Sequence, residues 1–174
     1  QPGVLMRVAG LFSRRGFNID SLAVGITQNP EFSRMTVAMK ADDSTVDQVC
    51  KQLAKLVEVE AIKVLPPNAS TKRSMALVKV KAGDKRMEIL KLADVFRAHA
   101  IDVTGNSLTF LITGVNDKLH AFVDIMRPYG IIEMVQTGAI ALERGDEALT
   151  VEKSRYVWPK YVDEDKIRKN CTVI

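Results

Sequence analysis

The 174-residue chain has few of the residues that carry metal, redox and nucleophilic chemistry. It contains two cysteines and two histidines, and aromatic residues make up 6% of it. Two cysteines are too few for a disulfide framework, and even a single four-ligand zinc site would need both histidines as well. The sequence also lacks an apolar run near the ~20 residues of a membrane-spanning helix, a glycine-rich nucleotide loop, a GxSxG elbow and an HExxH pair. We therefore expect a globular protein in a reducing compartment, with no membrane partner.

The isolated candidates for chemistry have ordinary structural interpretations. His99 and His120 have no sequence-local catalytic partner, and Cys50 lies on the apolar stripe of a predicted helix. Cys171 opens a C-terminal Cys-Thr-Val-Ile that fits a prenylation signal of low specificity. The net charge of +4 is interpreted as a solvated surface. The two cysteines fit a reducing interior, so a cytoplasmic location is expected, or an organellar one in a eukaryote. Nothing near Gln1 resembles a signal peptide, but the N-terminus is expected to be incomplete, so an upstream targeting segment stays open.

Hydrophobic periodicity in the first seventy residues predicts the order α-β-β-α-β. The predicted elements are a helix from Pro2 to Gly16, a hairpin with strands near 22–26 and 35–39, a helix capped by Ser44 with apolar residues up to Val57, and a strand at 62–64. One strand before residue 1 would complete βαββαβ, the ferredoxin-like plan. We expect that first strand to be missing from the chain as given.

The same order returns in the second half. The predicted elements are a strand at 76–80, a helix after Gly83 carrying Met87, Leu90, Ala93 and Phe96, strands at 101–103 and 108–112, a helix capped by Asn116 or Asp117 and ended by Pro128 and Gly130, and strands at 131–135 and 139–142. A polar linker at 68–73 joins the halves. The predicted fold class is α+β, with two ferredoxin-like domains at 1–72 and 73–144 and a charged, aromatic tail at 145–174 that folds only against a neighbour.

The first helix provides the most informative candidate site. Gly3 has no Cβ, so a ligand can approach its backbone closely, and the free N–H groups near Gly3, Val4 and Leu5 suit a carboxylate. Beyond the helix, Asn18 offers an amide oxygen to an ammonium group and Ile19 offers an apolar wall. These residues fit both polar ends of a small free amino acid, and a helix start with no ligand is the alternative.

Residues 2–22, PGVLMRVAGLFSRRGFNIDSL, resemble the N-terminal ACT domain of the regulatory small subunit of acetolactate synthase, also called acetohydroxyacid synthase. The similarity continues through Ser33–Thr36, Gln52–Val59, Met75–Val80, Phe96-Arg97, Ile101–Val103 and Thr137-Gly138. So many matches in order, over roughly residues 1–147, are far more specific than any short motif.

This resemblance implies a chain with no catalysis and no cofactor of its own. Family members bind a large catalytic subunit that carries thiamine diphosphate, Mg²⁺ and FAD, raise its activity, and confer feedback inhibition by branched-chain amino acids, chiefly valine. Two ACT domains pair side by side as a homodimer. By motif, Gly3, Val4 and Leu5 would hold the valine carboxylate, and Asn18 and Ile19 of the partner subunit would complete the pocket. A family asparagine would fall before Gln1.

Two other functions share parts of this pattern. An ACT-domain regulator of a different amino-acid pathway would have the same fold and a similar pocket. RNA-recognition modules also have βαββαβ topology, and the sequence pI of about 9.1 is compatible with them. Their central strands carry aromatic residues that stack on bases, whereas the candidate strand at 35–39 has none, so we expect no nucleic-acid partner.

Overall fold

The computed structural model describes residues 3–150, 156–157 and 171–173. The chain divides into two compact units, residues 1–71 with 139–174, and residues 72–138. The helices are α1 (Val4–Arg15), α2 (Asp43–Leu53), α3 (Arg86–Val95) and α4 (Asn116–Met126). The strands are β1 (Ser21–Ile26), β2 (Ser33–Met39), β3 (Ile62–Leu65), β4 (Ser70–Lys81), β5 (His99–Val103), β6 (Ser107–Gly114), β7 (Ile131–Gln136), β8 (Ile140–Glu143), β9 (Tyr156–Val157) and β10 (Cys171–Val173). None of the helices in the described part of the chain has the length and apolar character needed to cross a bilayer.

The first unit has a sheet with the strand order β1-β2-β10-β3-β9. β1 and β2 form the predicted antiparallel hairpin, β10 is antiparallel to both β2 and β3, and β9 is parallel to β3. The apolar stripes of α1 and α2 pack with the strands into one core. Its buried residues are Val8, Leu11, Phe12, Val37, Met39, Val46, Val49, Cys50, Leu53, Ile62 and Val64.

The second unit has a sheet with the order β5-β6-β4-β7, in which all neighbours are antiparallel. Its first strand in sequence, β4, lies between β6 and β7, as a ferredoxin-like βαββαβ unit requires. Phe122 of α4 is fully buried and contacts Phe96 and Phe110 edge to face, with ring centroids 5.6 and 5.9 Å apart. Both halves of the chain therefore confirm the predicted α+β fold class.

The start and end of α2 differ from the prediction. Asp42, not Ser44, caps the helix, because its carboxylate accepts the backbone N–H of Thr45 at 2.7 Å. The helix ends at Leu53, so Val57 lies beyond the apolar stripe and is exposed. The predicted stripe was too long because the apolar spacing continues past the last helical turn.

Three predictions in the second half were also wrong in detail. The expected linker at 68–73 lies mostly in β4, because Ser70 and Ser74 are buried and the residues between them alternate as in a strand. Met87 is exposed, since a 3₁₀ turn at Gly83–Lys85 shifts the start of α3 and turns Ile89 inward instead. Neither Asn116 nor Asp117 caps α4; Val115 occupies the cap position.

The segment that contains β8 belongs to the first unit rather than closing the second. The backbone N–H of Arg144 donates to the carbonyl of Ala69 at 2.9 Å. Glu143 forms an ion pair with Lys63 of β3, and about four-fifths of each of these side chains is buried. Leu65, Ala141 and Leu149 form a second, small apolar cluster. Because of these contacts, β8 belongs to the first unit, whereas the sequence pattern assigns it to the second.

Candidate functional site

The beginning of α1 is open. Gly3 precedes the helix with φ 86°, a left-handed conformation that favours glycine, and a Cβ built there would meet no atom within 4 Å. The first intrahelical hydrogen bond runs from the N–H of Arg7 to the carbonyl of Gly3, at 3.0 Å. The described residues place neither a side-chain cap nor an acidic residue in the first turn. The N–H groups of Val4 and Leu5 therefore stand at the positive end of the helix dipole, where an anion binds favourably.

The end of α1 is fixed by a Schellman motif. Gly16 has φ 69°, its N–H donates to the carbonyl of Ser13 at 3.2 Å, and the N–H of Phe17 donates to the carbonyl of Phe12 at 3.0 Å. The rings of Phe12 and Phe17 meet edge to face, with centroids 6.2 Å apart. These contacts determine how the chain leaves the helix and enters the loop that carries Asn18.

Asn18 and Ile19 lie in the loop between α1 and β1 but have different surroundings. Asn18 is exposed, and its amide nitrogen donates to the Asp20 carboxylate at 3.3 Å, a hydrogen bond that does not use its amide oxygen. Ile19 is half-buried and packs against the first core. The backbone N–H of Asp20 donates to the carbonyl of Ala38 at 2.8 Å and anchors the loop to the hairpin. Asn18 can therefore contact a ligand, whereas the Ile19 side chain is largely taken up by the core.

Within one chain the two halves of the predicted site are far apart. Gly3 precedes the first residue of α1, and Asn18 follows its last residue. A helix of this length spans about 18 Å at 1.5 Å per residue. A free amino acid is much shorter than that distance, so a single chain cannot bring Gly3 and Asn18 to one ligand.

The first sheet has an exposed apolar edge, which the sequence interpretation did not identify. β1 is the last strand in the sheet order, and its Val24 and Ile26 side chains are 52% and 92% exposed. An edge strand presents unpaired backbone groups to solvent and readily pairs with another strand. The alternation at 22–26 predicts a strand with one apolar face, but only the sheet order shows that this strand lies at the edge.

The cysteine and the two histidines that have ordinary structural interpretations in the sequence lie on three different elements of the structure. Cys50 is fully buried on α2, whereas His99 begins β5 and His120 lies on α4, and both histidines are exposed. Across the described residues, no group of three His, Cys, Asp or Glu side chains is arranged to hold a metal ion. Phe110, the aromatic residue of a central strand in the second sheet, is fully buried and so unavailable for base stacking.

Two protein-family models match the chain, one on each half. Residues 1–63 match the ACT domain of acetohydroxyacid synthase small-subunit-like proteins. Residues 73–145 match the small subunit of acetolactate synthase. The first of these ranges contains α1 and the loop with Asn18.

Relatives with the same description cover most of the chain. A probable acetolactate synthase small subunit of Archaeoglobus fulgidus is 47% identical over 148 residues, which is 84% of this chain and 92% of the relative. The acetolactate synthase small subunit of Mycolicibacterium smegmatis is 44% identical over 154 residues, 88% of this chain and 91% of the relative. The crystal structure of the small subunit from Thermotoga maritima superimposes with a TM-score of 0.77 at 40% identity, covering 84% of this chain and 92% of that one.

Proposed function

The chain belongs to the family of acetolactate synthase small subunits, and from this we propose that it is the non-catalytic regulatory subunit of such an enzyme. It activates a large catalytic subunit, which carries thiamine diphosphate, Mg²⁺ and FAD, and makes that subunit sensitive to valine. The observation that carries this proposal is the 47% identity to a small subunit over 84% of the chain. The chain thereby acts in the biosynthesis of branched-chain amino acids.

Valine binds where the beginning of α1 in one protomer faces the Asn18 loop of a second protomer. The N–H groups around Gly3, Val4 and Leu5 receive the carboxylate, Asn18 of the partner subunit accepts from the ammonium group, and Ile19 of the partner subunit borders the apolar side. Three features support this arrangement: the open helix start, the ~18 Å between the two ends of α1, and the exposed edge of β1. A two-fold dimer would bring opposite ends of two helices together twice.

The regulatory effect follows from binding across a dimer. The first unit, residues 1–71 with the segment that contains β8, binds the amino acid and dimerises, and residues 72–138 form the second regulatory unit. Valine that contacts two protomers stabilises one arrangement of the dimer over others. A coupling of about 1–3 kcal/mol between valine and the catalytic partner changes activity substantially.

Calorimetric titration with L-valine tests the pocket. Gly3→Asp places a carboxylate where the ligand carboxylate binds and should abolish measurable heat, and Asn18→Ala should weaken binding about tenfold. Gly145→Asp is a matched control, because Gly145 also has a positive φ, 84°, and open space at its Cβ position. Unchanged binding in Gly3→Asp, or an equal loss in the control, would contradict the assigned pocket.

Mixing the two variants tests the shared site. A heterodimer of a Gly3→Asp protomer and an Asn18→Ala protomer has one site with both changes and one with neither. After subunit exchange, about a quarter of all sites in a 1:1 mixture should therefore bind valine with native affinity, which neither variant shows alone. No recovery, with exchange verified by mass spectrometry, would show that Gly3 and Asn18 do not share a site across the dimer.

Reconstitution with a large subunit tests regulation itself. The chain should co-purify with the catalytic subunit, raise its acetolactate synthase activity, and lower that activity again when valine is added. Titrating other amino acids in parallel distinguishes this function from an ACT-domain regulator of another pathway. Association without any valine response would support the partner and reject valine as the effector.

A further inference from the structure

Arg7 is the first charged residue of α1, and it lies close to the open start of the helix. Its backbone N–H donates to the carbonyl of Gly3 at 3.0 Å, so it belongs to the first helical turn. At a rise of 1.5 Å per residue, the Cα atoms of Gly3 and Arg7 are about 6 Å apart along the helix axis. Side chains of an α-helix point back toward its N-terminus, and the Arg7 guanidinium is therefore directed toward the first turn.

The Arg7 guanidinium is paired with one carboxylate. Its Nη2 atom lies 2.6 Å from Oε1 of Glu58, in the loop between α2 and β3. The Glu58 side chain is 14% exposed, and that of Arg7 is 54% exposed. A largely buried carboxylate is costly without a cationic partner, whereas an arginine that is half in water is not. Glu58 therefore holds the charge of Arg7, and the pair has no net charge.

The loop that carries Glu58 is attached to the core on both sides of this residue. Leu56 and Val59 pack against the first core, and the backbone N–H of Val59 donates to the carbonyl of Leu56 at 3.1 Å. The backbone N–H of Leu56 donates to the carbonyl of Leu53, the last residue of α2, at 3.0 Å. These contacts fix the backbone on both sides of the Glu58 carboxylate, and the ion pair fixes the Arg7 side chain to it.

The ion pair changes the electrostatic field that an anion meets at the helix start. An unpaired guanidinium one turn from Gly3 would attract a carboxylate, in addition to the N–H groups and the helix dipole. An unpaired Glu58 carboxylate would repel it. Because the two groups are paired, their fields largely cancel, and the backbone N–H groups of the first turn determine how strongly an anion binds.

We propose that the Arg7–Glu58 ion pair sets the affinity of the amino-acid site for the ligand carboxylate, because Glu58 withholds the charge of Arg7 from it. Both are positioning residues that act through the field at the start of α1. This inference rests on the proposed function, since it takes valine to bind there. A feedback effector has to dissociate when its concentration falls, so an ion pair that limits affinity suits a regulatory site.

Calorimetric titration of the full chain with L-valine at low salt tests the pair through two changes of opposite sign. Glu58→Gln leaves the Arg7 charge unopposed and should tighten binding about threefold, the effect of one unit charge at about 6 Å in water. Arg7→Gln leaves the Glu58 charge unopposed and should weaken binding by a similar factor. If the pair only maintained the fold, both variants would shift the affinity in the same direction, and that result would overturn the proposal.

Three further variants keep the test decisive if a single change disturbs folding. The double variant Arg7→Gln with Glu58→Gln removes both charges, and Arg7→Lys keeps the cation, so each should bind valine about as tightly as the native chain. Arg127→Gln breaks an exposed ion pair with Asp124 in the second unit, where the two atoms are 3.0 Å apart, and should leave the affinity unchanged. A loss in this control equal to that in Arg7→Gln would contradict a local effect.

Salt dependence separates an electrostatic field from direct contact with the ligand. At 1 M salt the screening length is about 3 Å, so the opposite shifts of Glu58→Gln and Arg7→Gln should disappear. Shifts that persist at 1 M salt would overturn the proposed field effect. Absence of valine binding by the native chain would reject the proposed function, and this inference with it, whereas native binding without opposite shifts would overturn the role of the ion pair alone.

Discussion

Replacing Gly16 by alanine should destabilise the first unit through backbone conformation alone. Gly16 has φ 69°, and an added Cβ would meet no atom within 4 Å, so no steric clash contributes. An L-residue in the left-handed region costs about 1–2 kcal/mol. Alanine also restricts the unfolded chain, which offsets roughly 0.4–1 kcal/mol of that cost. We expect a net loss of about 1 kcal/mol in the free energy of unfolding.

The same chemical change at Gly10 should have the opposite sign. Gly10 lies in the interior of α1, has no positive φ, and also has open space at its Cβ position. Alanine in a helix interior is favoured over glycine by roughly 0.5–1 kcal/mol. The two variants therefore form a matched pair on one helix, in which only the backbone conformation differs.

Native-state hydrogen exchange of amides in α1 measures both effects within the first unit, independently of the second. The Gly16→Ala variant should exchange about fivefold faster and the Gly10→Ala variant about threefold slower. Shifts of the same sign would refute the reasoning, because they would mean that helix propensity or packing, rather than the left-handed turn, controls this end of the helix. Asparagine tolerates the left-handed region better than alanine does. The α1 amides of the Gly16→Asn variant should therefore exchange at rates between those of Gly16→Ala and those of the native chain.

Three further predictions follow from side chains in the two cores and the cap. Phe122→Ala should cost the second unit about 3–5 kcal/mol in chemical denaturation, because the buried ring contacts two other phenylalanines; a loss below 1 kcal/mol would argue against that packing. Hydrogen bonds from the hydroxyl and the backbone N–H of Thr45 lower the pKa of Asp42 below its ordinary 3.8, so the stability this carboxylate contributes is present at neutral pH and lost as the pH falls below 3.8. Asp42→Asn keeps the capping acceptor and should flatten that part of the acid unfolding curve. Burial, followed by the thiol of Cys50, raises the pKa of Tyr156 above its ordinary 10, so stability should fall as the pH rises past 10 in the native chain but not in Tyr156→Phe.

Local sequence patterns predicted most of the elements, because their signals are local. Gly16 ends α1 where the apolar spacing stops, and the alternation on both sides of Pro30 gives the hairpin. The errors arose where two local signals competed. Ser44 has the spacing of a capping box, yet Asp42 lies two residues earlier and captures the N–H of Thr45. Sequence order alone does not decide between two possible cap residues this close together.

Local sequence patterns did not predict which strands pair over long distances in the chain. Residues 171–173 form a three-residue strand, too short for a periodic signal, and its neighbours β2 and β3 lie near the other end of the chain. At the candidate site too, the sequence identifies the residues and the structure gives the distance between them. The glycine at position 3 and the amide at position 18 are visible in the sequence, but only the length of α1 shows that one chain cannot join them around a ligand.

The first unit is built from two separate stretches of chain, residues 1–71 and 139–174, and this has a consequence for the order in which the protein folds during synthesis. Residues 72–138 form the second unit as one continuous stretch, so that unit can close while translation continues. The first unit, although its helices are made earlier, gains the ion pair of Glu143 with Lys63 and the hydrogen bond from Arg144 to Ala69 only after these later residues have left the ribosome. Contacts between distant segments form slowly. The amino-terminal half is therefore the part most exposed to misassembly in a newly made chain and the part with most to gain from a chaperone.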